Sequence, residues 1–306
     1  MFKSLRFVGA LVLSALALPL VGSSVAVATV KSPQCIVSLS PTATETLFAI
    51  GAGKQVQAVD QDANFPARGL PKKRINALNP SVEAVIGICK TSASHRSSKP
   101  DLVIISYDAN SIKAKLTALG IRVVEQDAAT SISNALGQIK QLGVLTGHAA
   151  KANALATSMA KTIRADIASV PAHPTKVINV YYELDPTFYS LTSATFVGSL
   201  MKSLGLVNIA DAQSTTADAG YPQLSAEYIV SANPQIVFLA DTKCCSATPS
   251  TVAARPGFVS VSAVKFAHVV NLDDDVASRW GPRLGLLMNQ LTAAVKSVLN
   301  DAKLWS

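Results

Sequence analysis

The sequence is poor in the side chains that do chemistry. Four histidines in 306 residues, His95, His148, His173 and His268, stand far apart, and none has a partner at metal-ligand spacing. The motifs H-E-x-x-H, G-x-S-x-G and G-x-x-x-x-G-K-[ST] are absent, so no zinc protease, nucleophile elbow or phosphate loop is readable. Charged residues make up only 15%. The net charge of +8 is scattered, with no basic cluster of the kind that tracks a phosphate backbone, which argues against nucleic acid as a partner. Because 49% of residues are hydrophobic, the chain is a folded globular one and not a disordered one.

The N-terminus sets the compartment. Lys3 and Arg6 precede the apolar run Phe7 to Val21, which is too short for a comfortable membrane span, and Ala26-Val27-Ala28 forms a small-x-small cleavage site. Residues 1–28 therefore read as a secretory signal peptide, leaving enough chain for two modest lobes. The first cysteine, Cys35, follows Ser32-Pro33-Gln34 and does not fit a lipidation site. Cys35, Cys89, Cys244 and Cys245 match no zinc pattern, and an adjacent pair could hardly ligate one ion tetrahedrally. Export permits one or two structural disulfides, with three possible connectivities.

Short runs of Val, Ile and Leu alternate with helix-period segments, as in a parallel sheet covered on both faces. Strand Ile36 to Leu39 leads into Ser40-Pro41-Thr42, a helix start with proline in its first position, and the helix stops at Gly51. Thr42 and Glu45 also have capping-box spacing. Strands follow at Leu102 to Ile105 and Ile121 to Val124. A helical face carries Ile132, Leu136, Ile139 and Leu142, and Gly147 interrupts it. The pattern resumes with Leu155, Met159, Ile163 and Ile167, then ends before Pro171 and Pro174.

The first half then repeats in outline. A strand at Val177 to Val180 precedes a helix from Phe196 that stops at Gly205, as the first helix stopped at Gly51. Ser81-Val82-Glu83-Ala84-Val85 precedes Pro100-Asp101-Leu102-Val103-Ile104, and Ser225-Ala226-Glu227-Tyr228-Ile229 precedes Pro234-Gln235-Ile236-Val237-Phe238. The expected architecture is two parallel-sheet α/β lobes bridged by one long helix, with a ligand cleft between them. The boundaries are 29–146 for the N-terminal lobe, 147–170 for the bridge and 171–306 for the C-terminal lobe.

Two late segments are chemically richer. Asp273-Asp274-Asp275 lacks calcium-loop spacing and reads as a solvated strand-end turn, so no metal site is expected. Arg279-Trp280-Gly281-Pro282-Arg283 lies at a strand-to-helix junction, the edge of an α/β sheet where ligands bind.

The stretch Cys35 to Gly53, Ser81-x-Glu83, Pro100 to Ile104 and Ser225-x-Glu227 together resemble the periplasmic binding proteins for cobalamin, ferric siderophores and haem, in order and spacing over residues 33–300. The resemblance implies lobes that move little on a rigid helix, an ABC-importer permease as partner, and Glu83 and Glu227 as docking carboxylates. It places Asp62, Tyr107, Tyr181 (or Tyr182), Arg279 and Trp280 in the ligand cleft, and the strand-to-helix junction adds Arg283 as a second arginine for anionic or amide groups. An aromatic of the family's cleft loop is replaced by Asp62, and another by Ala77. The reading is a monomeric, extracytoplasmic receptor with no catalytic cofactor, carrying cobalamin or a related metal chelate. The first alternative is a ferric-siderophore or haem receptor, in which the arginines would meet carboxylates or Tyr107 would ligate haem. The second is a secreted α/β enzyme, disfavoured because no nucleophile–base pair is readable.

Overall fold

The computed structural model describes residues 32–89 and 97–306. The proposed signal peptide, His95 and part of the polar insert before Lys99 lie outside them. The first lobe contains strands β1 (Ile36–Leu39), β2 (Val56–Asp60), β3 (Arg74–Ile75), β4 (Leu102–Ile105) and β5 (Arg122–Glu125). Its helices are α1 (Pro41–Ala49), α2 (Val82–Val85), α3 (Ile112–Ala118) and α4 (Ile132–Thr146). Helix α5 (Ala149–Ala168) follows, 20 residues and about 30 Å long. The second lobe contains β6 (Ile178–Glu183), β7 (Leu206–Asn208), β8 (Ile236–Leu239) and β9 (Val269–Asn271). Its helices are α6 (Phe196–Ser203), α7 (Ala226–Ala232), α8 (Pro249–Ala253), α9 (Ser262–Lys265), α10 (Asp274–Ala277), α11 (Leu284–Asn300) and α12 (Ala302–Trp305).

Both sheets are parallel, in the orders β3-β2-β1-β4-β5 and β7-β6-β8-β9. Apart from the short edge strand β3, the two orders are the same, so the repeated sequence phrases correspond to repeated topology. The central strands β1, β4 and β8 are buried at every residue, which is why they read as unbroken apolar runs and not as alternating patterns.

The core has three parts. One face of each sheet joins α4, α5 and α11 in a single cluster that includes Leu47, Ile104, Met159, Ile163, Phe238 and Leu287. The opposite faces bury separate clusters, one around Val103 and Leu116, the other around Val237 and Phe258. Helix α5 is therefore embedded in a core shared by both lobes, and more than a tether between them. Its approach to α4 is close enough that a Cβ on Gly143 would lie 2.3 Å from that of Ala152.

The start of α1 differs from one expectation. Ser40 is the N-cap and accepts the Ala43 amide at 3.2 Å, so Thr42 and Glu45 do not form a capping box. Glu45 lies one turn further in, is 2% exposed, and points into an ion-pair network described below. Cys35 bonds to Cys89 and Cys244 to Cys245. With its sulfur in a buried bridge, Cys35 is not available to carry a lipid.

Candidate functional site

In open α/β sheets, ligands bind beyond the carboxyl ends of the strands where the strand order reverses. Those points are β1/β4 in the first lobe and β6/β8 in the second. A cavity of about 370 Å³ opens at the second of them. Leu184 and Ala240 follow β6 and β8, Leu191 and Phe196 close one side, and Arg279 and Trp280 close another. Ala128, which follows β5, brings the first lobe to its edge. An adjoining cavity of about 420 Å³ shares Ala128, Phe196 and Tyr221 and adds the hydroxyls of Thr130, Thr192 and Thr215. Two larger hollows each belong to one side of the molecule. One lies along His173 and Val207, and the other holds Lys54, Lys72, Lys73 and Glu83. The paired cavities are preferred because both lobes border them and they lie at the strand ends.

The stretch from Arg279 to Arg283 leaves the second lobe and seats on the first. Arg279 donates to Glu45 Oε1 at 2.8 Å, Asn64 Oδ1 at 2.8 Å, the Asp62 carbonyl at 2.9 Å and Asp275 Oδ1 at 2.6 Å. Arg283 donates to Glu45 through Nε at 2.9 Å and Nη2 at 2.5 Å, and lies 4.6 Å from the Phe65 ring centre. The hydrogen bond to Glu45 raises the Arg283 pKa further and keeps it charged. Trp280 donates its indole N–H to Gln138 of α4 at 2.7 Å. Asn64 completes the set by donating to Asp275 at 2.8 Å. One carboxylate thus holds two guanidiniums between the lobes, sheltered from solvent.

The sequence-derived site residues divide accordingly. Trp280 and Arg279 line the cavity. The guanidiniums of Arg279 and Arg283 are taken up by Glu45 and its neighbours, so these two residues clamp the lobes where a ligand contact was expected. The backbone of Asp62 supports that clamp while the residue itself is exposed. Tyr107 follows β4 but is 68% exposed and outside the cavity wall. Tyr181 corrects the expectation outright. It is fully buried on the sheet face turned away from α5, two residues before the strand ends, and cannot reach the cleft. Its neighbour Tyr182 is buried on the other face, with its hydroxyl donating to the Ala277 carbonyl at 3.3 Å.

The three aspartates are structural and not merely solvated. Asp273 caps α10, Asp274 accepts the Thr242 hydroxyl at 2.8 Å, and Asp275 pairs with Lys243 at 2.7 Å. Glu83 and Glu227 are both exposed, each one residue into a helix capped by serine. Among the described residues neither has an ion-pair partner.

A polar cluster beneath the second lobe's strand ends carried no signal in the sequence. Arg255 grips Glu183 with both nitrogens, at 2.5 and 2.7 Å, beside the Phe188 and Phe258 rings. Asp241 is fully buried nearby, and among the described residues neither of its carboxylate oxygens has a hydrogen-bond partner. Burial, with the Glu183 charge second, pushes Asp241 up to about 7. Tyr181 also faces this cluster, and burial holds its hydroxyl well above the usual range.

An acid whose folded pKa is raised contributes stability below its unfolded pKa and loses it as pH rises through the folded value. Asp241 should therefore destabilise the fold progressively from about pH 4 to pH 7. Asp241→Asn is expected to gain about 1–3 kcal/mol relative to the parent between pH 5 and pH 8, read from urea unfolding at several pH values. Parallel pH profiles for the two proteins would remove Asp241 as the cause.

A family model described as periplasmic binding protein matches residues 36–276. YvrC of Bacillus subtilis, named as an uncharacterized ABC transporter substrate-binding lipoprotein, is 30% identical over 263 residues, which is 83% of this chain and 77% of that one. A cobalamin-binding protein of Halobacterium salinarum is 30% identical over 268 residues, 86% of this chain and 69% of that one. A solved structure titled as a possible iron-binding, periplasmic solute-binding protein from Staphylococcus epidermidis has a TM-score of 0.71 at 27% identity, covering 87% of this chain and 99% of that one. YvrC is named for substrate binding in a transporter, and this chain is likewise a binding protein and not an enzyme. The chain belongs to the periplasmic binding protein family, as an extracytoplasmic substrate-binding protein that serves the permease of an ABC importer.

Proposed function

We propose that the protein, acting as a monomer exported by residues 1–28, binds cobalamin or a related corrinoid between its lobes and docks on the importer through Glu83 and Glu227. The observation that carries the ligand choice is the engagement of Arg279 and Arg283 by Glu45. A ferric siderophore rich in carboxylates, or haem with its propionates, calls for free cations at the cleft. A corrinoid is a large ring fringed with neutral amides. It suits apolar walls such as Trp280, Phe196 and Leu184 and hydroxyls such as Thr130 and Thr215. The cobalamin-binding relative from Halobacterium supports the same choice. For docking, two exposed carboxylates in equivalent places on two rigid lobes can fix orientation and speed encounter.

The test is titration of the mature protein with cyanocobalamin, haemin and a ferric hydroxamate, followed by tryptophan fluorescence. Cyanocobalamin is expected to give a saturable change with Kd at or below about 1 µM. A response to haemin or the hydroxamate with none to cyanocobalamin would assign the cavity to those chelates instead.

A further inference from the structure

Cys244 and Cys245 are bonded to each other, and both residues are exposed. The other bridge, Cys35–Cys89, is 2% and 5% exposed. The two bonds also differ in what they can do for the fold. In the chain-entropy model a disulfide acts by restricting the unfolded chain, more so for a longer loop. Cys35–Cys89 spans a separation of 54 residues, and Cys244–Cys245 a separation of 1. The vicinal bond restricts almost nothing in the unfolded chain, so its effect is local.

Its surroundings define that effect. Cys244 lines the inter-lobe cavity together with Ala240, Asp274, Arg279 and Trp280. The turn is pinned by Asp274, which accepts the Cys244 amide at 2.9 Å and the Lys243 amide at 3.0 Å. The Lys243 ammonium reaches Asp275 at 2.7 Å, and Asp275 holds Arg279 at 2.6 Å. Ion pairs and hydrogen bonds thus join the disulfide-closed turn to the clamp on Glu45.

The geometry points to Cys244–Cys245 as a thiol-reducible element of the cavity wall, opened by a small-molecule thiol with loss of ligand affinity. This rests on the reading of the cavity as the ligand site. One thiolate attacks a cysteine sulfur, breaks the S–S bond and forms a mixed disulfide. A second thiolate releases the two reagent sulfurs as a disulfide, and two protons leave Cys244 and Cys245 as free thiols. Exchange depends on access to the sulfur, and exposed bonds are the labile ones. Opening the ring frees the Cys244 side chain to leave the cavity edge and loosens the turn that positions Lys243.

The test treats the whole protein with dithiothreitol, traps thiols with iodoacetamide and locates them by mass spectrometry. Binding of cyanocobalamin, haemin and a ferric hydroxamate is measured on the same samples. Alkylation of Cys244 and Cys245 before Cys35 and Cys89 is expected, with at least tenfold weaker binding of whichever chelate the oxidised protein takes. Cys244→Ser with Cys245→Ser should bind as weakly as the reduced protein and ignore dithiothreitol. Earlier opening of Cys35–Cys89, or unchanged affinity after opening of Cys244–Cys245, overturns the proposal. If the oxidised protein binds none of the three chelates, the ligand reading fails. Amide hydrogen exchange over residues 240–247 and 274–280 then decides the redox proposal. Faster exchange on reduction supports it, and unchanged exchange overturns it.

Discussion

Glu45→Ala is expected to destabilise the protein by about 3–5 kcal/mol, because it removes the carboxylate that joins two sheltered guanidiniums, leaving Arg279 with Asp275 alone and Arg283 with no ion-pair partner among the described residues. The Glu45 side chain is 1% exposed, and those of Arg279 and Arg283 are 8% and 15% exposed. Truncating the acid strands charges that water cannot reach well, which is far costlier than losing a surface pair. A loss of this size lowers Tm by about 10 °C in a chain of this length. Glu45→Gln keeps the shape and part of the hydrogen bonding, so a smaller loss is expected. Replacing Glu45, Arg279 and Arg283 together by apolar residues should be milder than Glu45→Ala, because no charge is left unanswered. Urea unfolding of the three variants measures the series. A Glu45→Ala protein within 1 kcal/mol of the parent would show that the clamp does not hold the lobes.

The second large effect is on transport and not on stability. Glu83→Ala with Glu227→Ala should leave Tm and ligand affinity unchanged, since both side chains are exposed and outside the cavity wall. Import should fall at least about tenfold if, as proposed, each lobe thereby loses the charge that meets the permease. Single substitutions should fall between parent and double variant. Uptake of labelled ligand by cells carrying each variant reads the effect. Unchanged uptake in the double variant would refute docking by these carboxylates, whatever the ligand proves to be.

The elements that were legible in the sequence are those whose signal is local. Strands β1, β4 and β8 are short apolar runs closed by turn residues, and Gly51 and Gly205 end α1 and α6 with positive φ. The Ser-x-Glu phrases were legible because the same lobe topology occurs twice. The clamp was not, since Glu45 and its arginines are 234 and 238 residues apart. Helix start signals instead suggested a capping role for Glu45. Tyr181 was misplaced for a different reason. Adjacent strand residues face opposite ways, and in a strand buried on both faces polarity does not tell which face meets the cleft. The Asp241 cluster draws on three separate segments, β6, the turn after β8 and the end of α8, with no spacing to betray it. The pairing of the cysteines likewise depended on the fold.

The most direct test of the central claim is a crystal structure of the protein with whichever of cyanocobalamin, haemin or ferric hydroxamate binds best. The chelate is predicted between the lobes, against Trp280, Phe196 and Tyr221 with Ala128 at its edge, and with Glu45 still holding Arg279 and Arg283. A chelate seated elsewhere, or one that draws the two arginines away from Glu45 to its own anionic groups, would contradict it.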